Sequence, residues 1–149
     1  MLLLLIPILG MALTSILLTS IVSSTPDLKS LHTAAAAQSM AIYRQAVINW
    51  AAANPASPTQ TVPDSSLVFS YGYLKNFAWT NTVTAGHGWV YTTDPLLSGS
   101  VTACAVLTQS EYSMLVGTQQ GGYLWSPSAG NLNIPVSALI PTGSLIWGF

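Results

Sequence analysis

The chain has 149 residues, half of them apolar, a net charge of −1 and one cysteine, so it supports one domain plus a short appendage. Three basic residues build no Lys/Arg face for nucleic acid, and the lone Cys104 builds no intramolecular disulfide. Seven side chains carry formal charge: Asp27, Lys29, Arg44, Asp64, Lys75, Asp94 and Glu111, or 5% of the chain against the ~25% usual for soluble domains. All seven lie beyond residue 24, so the deficit belongs to the body of the protein. Polarity comes from 33 Ser and Thr. Such an uncharged surface suits a bacterial cell-envelope domain or an assembly subunit better than a cytosolic enzyme.

Residues 1–24 are expected to form a transmembrane signal-anchor. No charged side chain occurs before Asp27, and Leu2 to Val22 is an apolar run of 21 residues. At about 1.5 Å per residue such a helix spans the roughly 30 Å hydrocarbon core. Thr14, Ser15, Thr19 and Ser20 can bond back to the preceding turn, and Pro7 falls near the cytoplasmic end, where a missing backbone bond does least harm. A cleaved signal peptide needs a basic start and an apolar stretch of about 7–15 residues. This segment has neither, although Val22-Ser-Ser24 is a passable cleavage site. No Cys follows the run, so a lipoprotein anchor is excluded. A prepilin leader would end at Gly10, but residues 1–9 hold no basic side chain and Ser15 stands where that pattern has Glu. Flanking charges nearly cancel; the body's composition favours a cytoplasmic N-terminus and a periplasmic domain at the inner membrane.

Residues 25–54 read as a long amphipathic helix. Thr25-Pro26-Asp27 combines a cap, a first-turn Pro and an acid at the positive end, and Asn54-Pro55 stops the helix. Two offset apolar rows run along it. One holds Leu31, Ala35, Ile42, Ala46 and Trp50; the other holds Ala36, Met40, Tyr43, Val47 and Trp50. The broad stripe either docks on a sheet of the same chain or offers a surface to a partner helix. In the second case Met40, Tyr43, Val47 and Trp50 are the interface candidates.

Residues 55–149 change to short segments punctuated by Gly, Pro and Ser, the pattern of a small antiparallel β-rich part. Pro55–Pro63 is a loop, and Ser66–Tyr73 is aromatic and β-branched enough for a strand or an irregular edge. Trp79–Val83 and Trp89–Thr93 flank a Gly-His-Gly turn as a hairpin. Val101–Leu107 reads as a further strand with Cys104 as a buried thiol, and Thr108-Gln-Ser-Glu111 as a capping box opening a short helix over Glu111–Leu115. Tyr123–Trp125 and Ser144–Phe149 are the last strands, with turns at Gly121-Gly122 and Pro141–Gly143. The class is α+β, one long helix packed on four or five antiparallel strands.

Reactive groups are scarce. His32 and His87 are the two histidines, no Gly-x-Ser-x-Gly elbow occurs, and the scattered His, Cys and acids lack metal-ligand spacing. Gly117–Gly122 lacks the Lys-Ser/Thr of a phosphate loop. No catalytic, cofactor or metal site and no small-molecule substrate is expected. The aromatic load is conspicuous instead: Trp79, Trp89, Tyr91, Tyr123, Trp125 and Trp147 all fall in expected strands. Cross-strand core packing accounts for such residues. Alternatively they form an interface, for which Trp89, Tyr91 and Trp147 are candidates, or a face that stacks on glycans.

Certain segments carry a family resemblance: the apolar N-terminus, Met40-Ala-Ile-Tyr-Arg-Gln-Ala-Val47, Ala53-Asn-Pro55, Val62-Pro63-Asp64, Gly88-Trp-Val-Tyr91, Val116-Gly117, Ser126-Pro127, Ile134-Pro135 and Ile140-Pro-Thr-Gly-Ser144. Through them the chain resembles the small PilM-type inner-membrane proteins of type IVB (thin) pilus biogenesis in conjugative plasmids, which are distinct from the actin-like ATPase of that name. The resemblance implies a component of the pilus basal apparatus with no catalytic residues and a pilin-like layout. Its partners would be the membrane, other pilus-assembly proteins and its own copies. A minor pilin and a surface or secreted adhesin binding glycan through its aromatic strands are the alternatives. Sequencing the mature N-terminus separates them. An uncleaved anchor predicts Met1 retained; a new terminus after Gly10 or near Ser24 contradicts it.

Overall fold

The computed structural model describes residues 28–111 and 113–149. The expected membrane segment 1–24 and the helix start at Thr25-Pro26-Asp27 lie outside them. Among the described residues no helix is long and apolar enough to cross a membrane. The body is one compact unit, His32–Phe149.

Helix α1 (Leu28–Ala53) is followed by a long irregular segment, whose 3-10 turn spans Asp64–Ser66. The β1–β2 hairpin (Thr80–Thr84, His87–Thr92) comes next, then helix α2 (Ser100–Gln109) and strands β3 (Val116–Gln120), β4 (Tyr123–Ser126), β5 (Gly130–Pro135) and β6 (Leu145–Gly148). The six strands form one sheet in the order β1-β2-β6-β3-β4-β5, with every neighbouring pair antiparallel. The last strand is therefore a central one. Its Trp147 sits opposite Val90 on one side and Val116 on the other, while Ile146 sits opposite Tyr91 and Gly117.

Strand alternation sends these residues to two different cores. Leu145, Trp147, Val90, Val83 and Val116 face α1, where they meet Met40, Tyr43 and Val47, with Ala103, Val106 and Leu107 of α2 beside them. Ile146, Tyr91 and Leu124 face the other way and are covered by Val136 and Ile140. All four residues of β6 are buried, and each fully buried Leu or Ile stabilises the fold by roughly 2 kcal/mol. Gly148 is required for packing: a Cβ there would stand 2.7 Å from the Trp89 ring, which lies across β6.

Buried polar groups fix the segment between α1 and the sheet. Asn81 on β1 is fully buried. Its carboxamide accepts from Val62 N (2.8 Å) and donates to Val62 O and to the Tyr43 hydroxyl (both 2.9 Å). Tyr43 in turn donates to Asp64 Oδ1 at 2.8 Å, and Asp64 pairs with Lys75. One side chain thus ties helix, loop and sheet together. Nearby, Trp79 Nε1 donates to Ser39 Oγ at 2.9 Å. On the β6 side Arg44 Nε donates to Gly148 O at 3.0 Å, with its guanidinium 4.8 Å from the Trp147 ring centre. Gln60 pairs with Val83 in both directions and closes much of the outer edge of β1.

Several sequence expectations are corrected. Val101–Leu107 is not a strand but most of α2: Thr102, Ala103, Val106 and Leu107 are buried at helical spacing, and Cys104 is exposed on the opposite side. A short apolar run of β-branched residues does not distinguish the two states by pattern. Thr108 does not open a helix over Glu111–Leu115. It sits inside α2, where its hydroxyl donates to Cys104 O, and Glu111 leaves the helix at φ 54°. Ser66–Tyr73 is turns and extended chain rather than strand. The sheet gains β3, which ends in Thr118-Gln119-Gln120, and β5, with Asn131 and Asn133 at alternate positions.

Replacing Asn81 by Leu strands the Val62 amide and carbonyl in a dry interior and removes the donor to the Tyr43 hydroxyl. The expected loss is roughly 3 kcal/mol, a fall in Tm on the order of 10 °C by calorimetry, and Asn81→Asp, which lacks both donors and buries a charge, should rescue none of it.

Candidate functional site

The two apolar rows of α1 have different fates. Ala36, Met40, Tyr43 and Val47 are sealed against the sheet. Ala35, Ile42, Ala46 and Trp50 face the segment 66–77, which runs alongside the helix. Between them lie three contiguous hollows of about 380, 370 and 190 Å³. The first two share Ile42 and Ser70 as walls; the second and third share Ala46, Asn49 and Val68. Together they make one furrow from Ala35 to Ala53, about 27 Å long at the helical rise.

The far wall is held up by stacked aromatics. Phe69 lies 5.8 Å from the Tyr43 ring and 4.9 Å from the Tyr73 ring, and His32 meets Phe77 edge-on at 5.4 Å. The Tyr73 hydroxyl is 3.2 Å from Ser39 Oγ, which fastens the segment back to α1. Lys75 closes over the Tyr43 ring at 4.8 Å. The segment turns apolar side chains outward: Val68, Tyr71 and Leu74 are 82%, 108% and 73% exposed. Polar lining residues include Gln38, Ser39, Gln45, Asn49, Ser66, Ser70 and Asn76, and no lining residue carries a formal charge. The furrow beside α1 is thus uncharged in its lining and rimmed by exposed apolar side chains.

The sequence candidates fall out differently. Met40, Tyr43, Val47 and Trp147 are core residues whose contacts are already taken by the chain itself, and Tyr91 is buried under Val136 and Ile140. Trp89 is half-buried on that same face. Trp50 alone of the seven borders the furrow. Val68, Tyr71 and Leu74 were the missed residues. Their signal was three apolar side chains in a Gly- and Ser-punctuated stretch, where no strand would bury them.

Among the described residues no three His, Cys, Asp or Glu side chains cluster to hold a metal ion. The hollow beside His87 is lined by Thr59, Thr82, Thr84 and Ser137, with no carboxylate. Burial raises the pKa of Tyr43 well above that of an ordinary phenol; Asn81 opposes the shift and Asp64 adds to it. Tyr73 is raised in the same way, chiefly by burial. Burial lowers Arg44, and no carboxylate among the described residues pairs with it.

Fold and furrow define a small α+β domain in which one long helix serves the sheet with one row and an open furrow with the other. The chain belongs to the PilM family, whose model matches residues 9–148. It is of the thin-pilus biogenesis type, not the actin-like ATPase that shares the name. The fold is shared with a PilM protein of Escherichia coli B7A. That structure is 19% identical at a TM-score of 0.57, over 85% of this chain and 98% of the other. A PilM protein of Pseudomonas aeruginosa 2192 is 27% identical over 78% and 92% of the two chains, at a TM-score of 0.47. No curated protein matches the chain.

The tyrosine network has a pH signature. Tyr43 and Tyr73 hold their protons in the fold at a pH where an unfolded tyrosine, with a pKa near ~10, has lost its own. Their contribution is complete below about pH 10 and is lost as pH rises above it. Denaturant midpoints should therefore fall steeply beyond about pH 10, and Tyr43→Phe should flatten the slope while costing roughly 1–2 kcal/mol at neutral pH.

Proposed function

We propose that this protein is a non-enzymatic inner-membrane subunit of the thin-pilus assembly apparatus. Residues 1–24 are the anchor, the N-terminus is cytoplasmic and the body stands in the periplasm. Its work is to seat a helix of another pilus-assembly protein in the furrow between α1 and residues 66–77. The observation that carries this reading is the furrow itself. Val68, Tyr71 and Leu74 are held in the open by a segment tied to α1 through Tyr73 and Ser39 and braced by the Lys75–Asp64 pair. Leaving three large apolar side chains in water serves no folding purpose, so a partner is the economical reason for it. Membership of the PilM family supplies the pilus context. The body's scarcity of charge agrees with a surface that is covered in an assembly.

Val68→Asp and Leu74→Asp alter side chains that are 82% and 73% exposed, so each should leave stability within about 0.5 kcal/mol. In cells making thin pili, the pair should cut piliation at least tenfold at unchanged protein level. Leu96→Asp, equally exposed but away from the furrow, should be silent. Normal pili from the double variant would overturn the proposal.

A further inference from the structure

A second surface lies on the sheet beyond the reach of both helices. The helix-side core takes side chains from β1, β2, β6 and β3 but none from β4 or β5. On that uncovered part β4 alternates exposed, buried, exposed, buried. Leu124 is sealed into the opposite core, while Tyr123 and Trp125 are turned out and 45% and 43% exposed. The two rings stand two residues apart on one face, about 6.5–7 Å along the strand.

Their surroundings are polar but uncharged. Trp125 is opposite Thr118 and Asn131, and Tyr123 is opposite Gln120 and Pro135, with a register irregularity in the β4–β5 pairing between the two rings. Gln120 Nε2 donates to Thr118 Oγ1 at 3.2 Å, and Asn131 Oδ1 accepts from Asn133 N at 2.8 Å. Gly130, next to the Trp125 ring, sits at φ +71°, a backbone conformation that favours glycine. After Glu111 the sequence contains no Asp, Glu, Lys, Arg or His. The whole half-sheet of β3, β4 and β5 is therefore free of formal side-chain charge.

We propose that Tyr123 and Trp125 form a platform for an uncharged polysaccharide strand. A pyranose ring presents C–H bonds on its flat side, which the electron-rich face of an aromatic ring attracts, and hydroxyl or acetamido groups around its rim. The rings supply the first kind of contact; Gln120, Thr118 and Asn131 supply the second. The lack of charge fits a neutral chain and gives no purchase to phosphate, nucleic acid or an acidic peptide. A pair of rings along one strand suits a linear ligand that lies on the sheet, and no enclosing pocket is needed. This goes beyond a role in pilus assembly and does not depend on the furrow.

The test uses the full chain in detergent, with the neutral oligosaccharides chitohexaose and cellohexaose as probes. At least one should bind with quenching or a blue shift of tryptophan emission. Trp125→Ala should weaken that binding tenfold or more, Tyr123→Ala less, with melting temperatures unchanged and Val68→Asp without effect. Trp125→Phe should restore part of the affinity. No binding to any probe at millimolar sugar, or binding indifferent to Trp125→Ala, overturns the proposal. So does a monomer–dimer equilibrium lost on Trp125→Ala in a protein that binds no glycan, since the face is then a contact between copies.

Discussion

Asn81 is the constraint from which the rest of the architecture follows. The 26 residues between α1 and β1 hold little regular structure, and without a fixed point they would not stay beside the helix. Asn81 supplies it by imitating a strand partner: its carboxamide bonds both the amide and the carbonyl of Val62 while its second donor contact holds Tyr43. Those bonds form in a dry interior, where a missing partner costs about 1–3 kcal/mol per group. The arrangement is therefore close to all-or-none. Tyr43 then positions Asp64, Asp64 positions Lys75, and residues 66–77 are carried into place along α1. The furrow is a consequence of this chain of bonds.

The distribution of charge follows the same logic. Charge in the body is confined to residues up to Glu111, and its structural uses are specific. Asp64 and Lys75 brace the segment beside the furrow, and Arg44 fastens β6 through Gly148 O and the faces of Trp147 and Phe149. Arg44 meets aromatic rings and a carbonyl instead of a carboxylate, an arrangement a planar, weakly hydrated guanidinium tolerates far better than an ammonium would. The remaining surface relies on Ser, Thr, Asn and Gln. A surface of that kind repels few partners, which suits a protein that meets others within an envelope.

Much of the fold was legible in the sequence where periodicity and punctuation agreed. The long helix stopped by Asn54-Pro55, the hairpin around Gly-His-Gly, and the strands at Tyr123 and Leu145 all combined an apolar pattern with a turn signal. Even the two offset rows on α1 were visible, although nothing local says that one row meets the sheet and the other a furrow. Where tertiary context decides, the sequence misled. Val101–Leu107 is apolar and β-branched, yet it lies against the edge of a core that rewards contacts at three- and four-residue spacing. Strands β3 and β5 hide behind Gln, Thr and Asn because the helices do not cover their far ends. Met40, Tyr43 and Val47 have the composition of hot spots, and in this fold they are spent on the chain's own core.

The central claim is that the furrow beside α1 is where this PilM-family protein meets another component of the pilus machinery. Site-specific photo-crosslinking in pilus-producing cells tests it most directly, with the crosslinking amino acid placed in turn at Leu74, Val68, Asn49 and, as a control, Leu96. The account predicts one discrete heteromeric product from the first three positions, carrying the same pilus-assembly protein, and none from Leu96. Crosslinks absent along the furrow, or equal at the control position, would contradict it.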